Sequence, residues 1–222
     1  SKQTMNPRYE LIVFDWDGTL MDSAAMIVDS VQAAARDLGL EPPPEDRARH
    51  IIGLGLVDAL RHALPDLPED HYPELVERYR HHYLSRDHEL RLFVGADILV
   101  KQLAENGFRL GVATGKSRKG LDRALVHTGL GDFFHGTRCA DECHSKPHPQ
   151  MIEELMEEFA ILPERTLMIG DTTHDLLMAQ NAGVDAVAVS YGAHPRDSLE
   201  ATGPRYCAHS IDDLAAWLQT FA

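Results

Sequence analysis

The sequence predicts an α/β protein, a parallel sheet covered by helices on both faces, with an all-helical subdomain inserted after the first strand. Three observations lead there. Short apolar runs at residues 9–14, 108–113, 166–169 and 186–189 alternate with stretches of helical period. The alternation breaks once, over about residues 22–90, where no run reads as a strand. Polar residues follow the apolar runs closely (Asp15, Thr114 and Asp171), at the carboxyl ends of strands, where open parallel sheets bind ligands.

The elements follow in chain order. Residues 9–14 form a compact apolar run ending at Asp15, the pattern of a strand buried on both faces. Residues 24–38 then place Met26, Ile27, Val31, Ala34, Ala35 and Leu38 on one helical face. Pro42-Pro43-Pro44, Gly53, Gly55, Pro65 and Pro68 punctuate the insertion into three or four helices. The chain crosses into it at residues 20–22 and returns at 91–95, the two hinge candidates. Thereafter the rhythm resumes, with helices at 96–105, 117–127, 150–159 and 173–181 between the later strands. Crossovers of this kind are right-handed. The expected division is a core of residues 5–21 and 91–222 and an insertion of residues 22–90. Residues 1–4, ahead of Met5, read as a cloning remnant and are set apart from the fold.

Bulk properties narrow the partners. The 222 residues carry a formal charge of -14. An acidic surface repels nucleic acid and anionic membrane, so neither is expected as a partner. No apolar run is long enough to span a bilayer, and no leader of secretory type is apparent. Cys139, Cys143 and Cys207 are an odd, sparse set, which suits reduced thiols in a cytoplasmic protein. Cys139, Cys143 and His144 are too few and too spread for a zinc clip. A monomer or weak homodimer is expected.

The chemistry-bearing residues begin with Asp15-Trp16-Asp17-Gly18-Thr19-Leu20. Carboxylates at i and i+2 share one side of extended chain, and Gly18 permits a turn that re-aims the second. Two such acids can divide labour as nucleophile and general acid/base. A divalent cation beside them relieves their repulsion. Asp171 and Asp175 form a second acidic group, whose hard oxygens suit magnesium. Thr114 offers a hydroxyl, Gly115 and the next helix offer amides, and Lys146 offers a fixed positive charge for a phosphoryl group. The segment at 111–117, Gly-Val-Ala-Thr-Gly-Lys-Ser, lacks the spacing of a nucleotide-binding loop, although Lys116 is still placed to neighbour a bound anion. Trp16 reads as a packing residue whose amide faces the phosphate, and His174 as structural support near Asp171. His71, His81, His82 and His88 read as a polar helix face.

Four ordered segments, Asp15 to Thr19, Thr114, Lys146, and Asp171 with Asp175, resemble the four motifs of the haloacid dehalogenase-like hydrolase superfamily. The insertion is similar to that superfamily's helical cap, and Ile51-Ile52-Gly53-Leu54-Gly55-Leu56 resembles its phosphoglycolate phosphatase-like branch. The resemblance implies a Rossmann-like core and a magnesium-dependent phosphatase acting on a small phosphorylated metabolite. It implies that Asp15 attacks phosphorus and that Asp17 protonates the leaving group and then activates water. Magnesium would be held by Asp15, the Asp17 carbonyl and Asp171. Thr114 and Lys146 would grip the phosphoryl group, with Asp175 orienting Lys146 or a metal-bound water. Arg49, His50 and the Ile52-Gly53-Leu54-Gly55 loop are expected to set substrate preference from the cap, with Arg49 having little bearing on the metal. A plain helix-linking turn is the other reading of the two glycines. A phosphomutase, a pyrophosphatase or a nucleotide phosphatase would share these motifs. A catalytically idle binding or regulatory relative is the reading from a different class.

Overall fold

The structure, a computed structural model, describes residues 7–222, so the segment assigned above to a cloning remnant lies outside it. One sheet of six parallel strands organises the chain: β1 (Leu11–Phe14), β2 (Arg109–Thr114), β3 (Gly136–Cys139), β4 (Thr166–Gly170), β5 (Asp185–Val189) and β6 (Tyr206–Ala208). Their order is β3-β2-β1-β4-β5-β6. Building outward from β1, the chain runs one way through β2 and β3 and the other way through β4, β5 and β6. The direction therefore reverses between β1 and β4, the place where such sheets open a crevice for ligands. The register puts Phe14 between Val112 and Ile169, so Asp15 leaves the sheet at that crevice.

The apolar runs form strands because both faces of the sheet are covered. Ile12, Phe14, Leu167 and Ile169 point into one apolar cluster, and Leu11, Val13 and Met168 into the other. The first face is covered by α5 (Ala96–Glu105), α6 (Arg118–Thr128) and α10 (Ile211–Phe221), and the second by α7 (Gln150–Phe159), α8 (Thr173–Ala182) and α9 (Arg196–Glu200).

Between β1 and α5 lie the helices α1 (Ala24–Asp37), α2 (Glu45–His50), α3 (Leu56–Ala63) and α4 (Tyr72–Arg86). They close around their own apolar cluster, centred on Val31, Leu60 and Leu75, and Ala193 joins it from the sheet side. The two crossings pair with each other: the Asp22 N–H donates to Arg91 O at 2.9 Å and the Phe93 N–H to Leu20 O at 2.9 Å.

The observed elements depart from expectation mainly at the sheet edges. β2 starts one residue later than expected and takes in Thr114. β3 and β6 were not expected. Gly-Thr-Arg-Cys has no apolar run, and β3 is a strand because it lies along β2, Gly111 opposite Gly136. No helix among the described residues is long and apolar enough to cross a membrane.

Candidate functional site

Asp15 is the first residue past β1, and its N–H continues the pairing with β4 by donating to Ile169 O at 2.9 Å. Its two carboxylate oxygens have different surroundings. Oδ1 accepts from the Trp16 N–H at 2.8 Å and from Lys146 Nζ at 2.9 Å. Oδ2 is buried and has no hydrogen-bond partner among the described residues. Lys146 in turn donates to Asp175 Oδ1 at 2.7 Å. Asp175 is held by the start of its own helix: its Oδ2 accepts from the Thr172 N–H at 3.2 Å and the Thr172 hydroxyl at 2.8 Å. Thr172 caps α8 and Asp175 closes the reciprocal capping box. One local helix-start signal thus fixes the lysine's anchor.

Asp171 follows β4 directly. Its Oδ1 accepts from the Thr19 hydroxyl at 3.0 Å and its Oδ2 from the Ala193 N–H at 2.8 Å. Gly18 packs flat on this carboxylate with φ +80°, so a side chain there would be both strained and in collision with Asp171. Gly192 encloses the same carboxylate from the other side.

Oxygens of Asp15, Asp171 and Asp175 lie within 4.8 Å of one another, all three residues buried. Lys146 pairs with two of the three carboxylates, Asp15 and Asp175. Burial, and then the Asp175 charge, push Asp15 well above the usual carboxylate range despite Lys146. Burial pushes Asp171 up to about 6. Burial would raise Asp175 too, but Lys146 and its hydrogen bonds outweigh it and hold that carboxyl down. Burial would lower Lys146, but Asp15 and Asp175 outweigh it and hold the ammonium charged. The unpartnered Asp15 oxygen and the convergent hard donors fit a small divalent cation that binds few protein ligands.

Asp17 is turned out of this cluster. Its Oδ1 accepts from the Ser23 hydroxyl at 2.8 Å and its Oδ2 lies 3.8 Å from Lys116 Nζ. Lys116 Nζ also donates to the Tyr83 hydroxyl of α4 at 3.1 Å. The buried Thr114 hydroxyl accepts from the Lys116 N–H at 3.1 Å. Gly115 is covered by the Gly53 and Leu54 carbonyls, leaving no room for a Cβ. Gly55 N–H donates to the Ser145 hydroxyl at 3.1 Å, and Gly53 packs on Thr172. The paired glycines therefore seat the helical insertion on the loops after β2, β3 and β4, which is more than a helix-linking turn requires.

Three expected placements are corrected. The Trp16 amide faces the Asp15 carboxylate, and its ring packs edge-on against Phe134 at 6.3 Å. Arg49 lies on the insertion as expected, but its guanidinium reaches across to the carbonyls of Gly192 (2.8 Å) and Ala193 (3.2 Å). His174 donates Nε2 to His50 O at 2.6 Å, so it supports the seam rather than Asp171. Cys139 is buried at the end of β3 and Cys143 faces Glu154, and the zinc reading finds no support among the described residues. Sequence reading passed over Ser23, Tyr83, Thr172 and Ala193. Thr172 carried a legible signal, because Thr-x-x-Asp is a capping box. Ala193 carried none, because it contributes a backbone amide.

Comparison with known proteins gives first a class and then a family. The architecture recurs in solved hydrolase structures: a predicted phosphoglycolate phosphatase from Haemophilus somnus 129PT aligns with TM-score 0.85 at 25% identity, over 96% of this chain and 98% of that one. The chain belongs to the haloacid dehalogenase-like hydrolase family, whose model matches residues 12–189. It is 35% identical to a probable phosphatase, IndB, of Dickeya dadantii (strain 3937), over 92% of this chain and 91% of the relative. It is 31% identical to the pyrophosphatase PpaX of Halalkalibacterium halodurans, over 91% and 94% respectively.

Proposed function

We propose that this hydrolase is a magnesium-dependent phosphatase of a small phosphorylated metabolite, working through an aspartyl-phosphate on Asp15. The observation that carries the proposal is the asymmetry of the Asp15 carboxylate. One oxygen is pinned by Lys146 and the Trp16 amide, while the other is buried and bare. A carboxylate is a weak nucleophile, and pinning it through one oxygen fixes the plane of the group and so the direction from which Asp15 attacks.

In the first step a bond forms from an Asp15 oxygen to phosphorus and the bond to the leaving oxygen breaks, Asp17 giving that oxygen a proton. In the second, Asp17 takes a proton from water, the hydroxide attacks phosphorus, and phosphate leaves with Asp15 restored. Lys146 balances the negative charge gathered on the phosphoryl group, and Asp175 holds Lys146 in place. Thr114, Gly115 and Lys116 bind phosphate or the adjoining leaving group, while the Trp16 amide holds Asp15. Asp15, the Asp17 carbonyl and Asp171 would hold magnesium, which supplies positive charge to the transferring group when bound. The cap is residues 22–90, hinged at 20–22 and 91–95, and its Gly53 to Gly55 loop closes the site over small substrates.

Phosphoglycolate is the leading substrate, on the branch resemblance and on the likeness to the predicted phosphoglycolate phosphatase of Haemophilus somnus. A pyrophosphate is the alternative carried by the second relative's name. A phosphomutase, a nucleotide phosphatase and an idle binding or regulatory protein remain as outcomes of the test. The protein is read as a cytoplasmic monomer or weak homodimer that binds neither nucleic acid nor membrane, consistent with three free thiols and a charge of -14. The test is phosphate release from a panel of phosphorylated acids, sugars, nucleotides and pyrophosphate, with magnesium and with chelator. Magnesium-dependent release from one small class supports the proposal. No release from any member supports the idle reading and refutes this one.

A further inference from the structure

Residues 191–194 join the buried carboxylates to the cap, through two consecutive peptide groups. In the Gly192–Ala193 peptide the carbonyl accepts from Arg49 Nη2 at 2.8 Å while the N–H donates to Asp171 Oδ2 at 2.8 Å. In the Ala193–His194 peptide the carbonyl accepts from Arg49 Nε at 3.2 Å while the N–H donates to Asp171 O at 3.3 Å. A peptide group is planar, with its N–H and C=O in one rigid unit. Arg49 of the cap and Asp171 of the core therefore hold opposite ends of the same two units. Turning either peptide breaks its bond at both ends, and in the Gly192–Ala193 unit the charges of Arg49 and of the Asp171 carboxylate polarise it from both ends.

The surroundings reinforce this bridge. The Tyr191 hydroxyl donates to Thr19 O at 2.7 Å, and Thr19 itself donates to Asp171. Ala193 packs into the apolar cluster of the cap. The His50 carbonyl accepts from His194 Nε2 at 2.9 Å and from His174 Nε2 at 2.6 Å. His50, His174 and His194 stand close enough to suggest a metal site. Their hydrogen bonds argue otherwise. A carbonyl can only accept, so both Nε2 atoms carry protons, and His194 Nδ1 is taken by the Thr173 N–H at 3.0 Å. The trio is a latch between cap and core.

We propose that Arg49 is a positioning residue for Asp171, so that cap docking and metal binding at Asp171 strengthen each other. Linkage requires the coupling to be reciprocal: whatever cap docking adds to metal affinity, the metal adds to docking. This rests on reading the site as that of a metal-dependent phosphatase. It also replaces the expectation that Arg49 acts on the substrate and little on the metal.

The test is magnesium titration by calorimetry without substrate, on wild type, Arg49→Ala, Arg49→Lys and Arg47→Ala. Arg49→Ala is expected to bind magnesium about fivefold or more weakly. Arg49→Lys, whose single ammonium cannot serve two carbonyls in fixed register, is expected to fall between. Arg47, exposed on the same helix, is expected to change nothing. Amide exchange of Ala193 and His194 gives a second readout: it is expected to slow with magnesium in wild type and to run faster in Arg49→Ala. Equal magnesium affinity in wild type and Arg49→Ala, with unchanged exchange at Ala193, overturns the coupling and leaves the phosphatase reading intact. Wild type that hydrolyses phosphate esters but binds no magnesium overturns the metal reading and this inference with it.

Discussion

The charged cluster under the sheet edge and the seam between core and cap are held by different kinds of bond. In the cluster, Asp15, Lys146, Asp171 and Asp175 are almost wholly buried, and Asp15, Lys146 and Asp175 bond charge to charge. At the seam, Arg49 meets neutral carbonyls, His50 offers a carbonyl to two imidazoles, and glycine backbone lies on glycine backbone. Removing one member of a buried ion cluster leaves a desolvated charge, which costs several kcal/mol. Separating the seam lets water replace each partner and leaves no ion stripped of a counter-charge, at a cost of about 1 kcal/mol per neutral bond and about 2 for each bond from Arg49. The bonds of the cluster therefore cost more to break than those of the seam.

The predictions that follow test this contrast, from the largest effect to the smallest. Asp15→Asn should lose activity by about 10⁴-fold, or to background, while its unfolding midpoint stays near wild type, since Lys146 keeps its pairing with Asp175 and the amide fits the same space. Lys146→Met attacks the cluster itself. It should lower stability by about 3–5 kcal/mol in denaturant titration, because Asp15 and Asp175 are left facing each other. A loss below ~1 kcal/mol would mean that the cluster is not charged as described. Gly115→Val attacks the seam. Its side chain would strike the Gly53 and Leu54 carbonyls, so catalytic efficiency should fall about 10²-fold through failed closure. Its unfolding midpoint should barely move, and a stability loss as large as that of Lys146→Met would erase the distinction between the two regions.

The smallest effects are in pH dependence. Tyr9, buried in the core, donates its hydroxyl to Asp185 at 2.7 Å. Burial, and then this bond, push its pKa from 10.0 up to about 12. A raised folded pKa gives stability that is complete below pH 10 and is lost between pH 10 and 12, on the order of 2 kcal/mol. Tyr9→Phe should flatten that alkaline limb. In the cap, Asp37 of α1 meets His82 and Arg78 of α4, which hold its carboxyl below its ordinary 3.8. That contribution is present above pH 3.8 and is lost as pH falls below it, so Asp37→Asn should be less stable than wild type above pH 3.8 and should have a flatter acid limb. Stability measured against pH for both variants checks the assignment.

Legibility in the sequence follows the same division. Leu-Ile-Val-Phe and Thr-Leu-Met-Ile-Gly were readable as strands because both faces of the central sheet are buried, which forces continuous apolar runs. Edge strands carry no such constraint, and Gly-Thr-Arg-Cys and Tyr-Cys-Ala were missed. α10 was legible but passed over, with Ile211, Leu214, Trp217 and Leu218 at helical spacing. Within the site, Asp15 and Asp171 stood out because each closely follows an apolar run, and Lys146 and Asp175 through their place in the ordered motifs. The reach of Arg49 did not, because its acceptors are the backbone carbonyls of a loop far along the chain, and any residue supplies a carbonyl.

The central claim is that phosphate passes through a bond to Asp15. Rapid acid quench during turnover of a phosphorylated acid, followed by peptide mass spectrometry, tests it most directly. The account predicts one phosphoryl group on the peptide containing Asp15, carried by the Asp15 side chain and absent from Asp15→Asn. Brisk turnover with no phosphoryl group on that peptide, or the same label in Asp15→Asn, would contradict it.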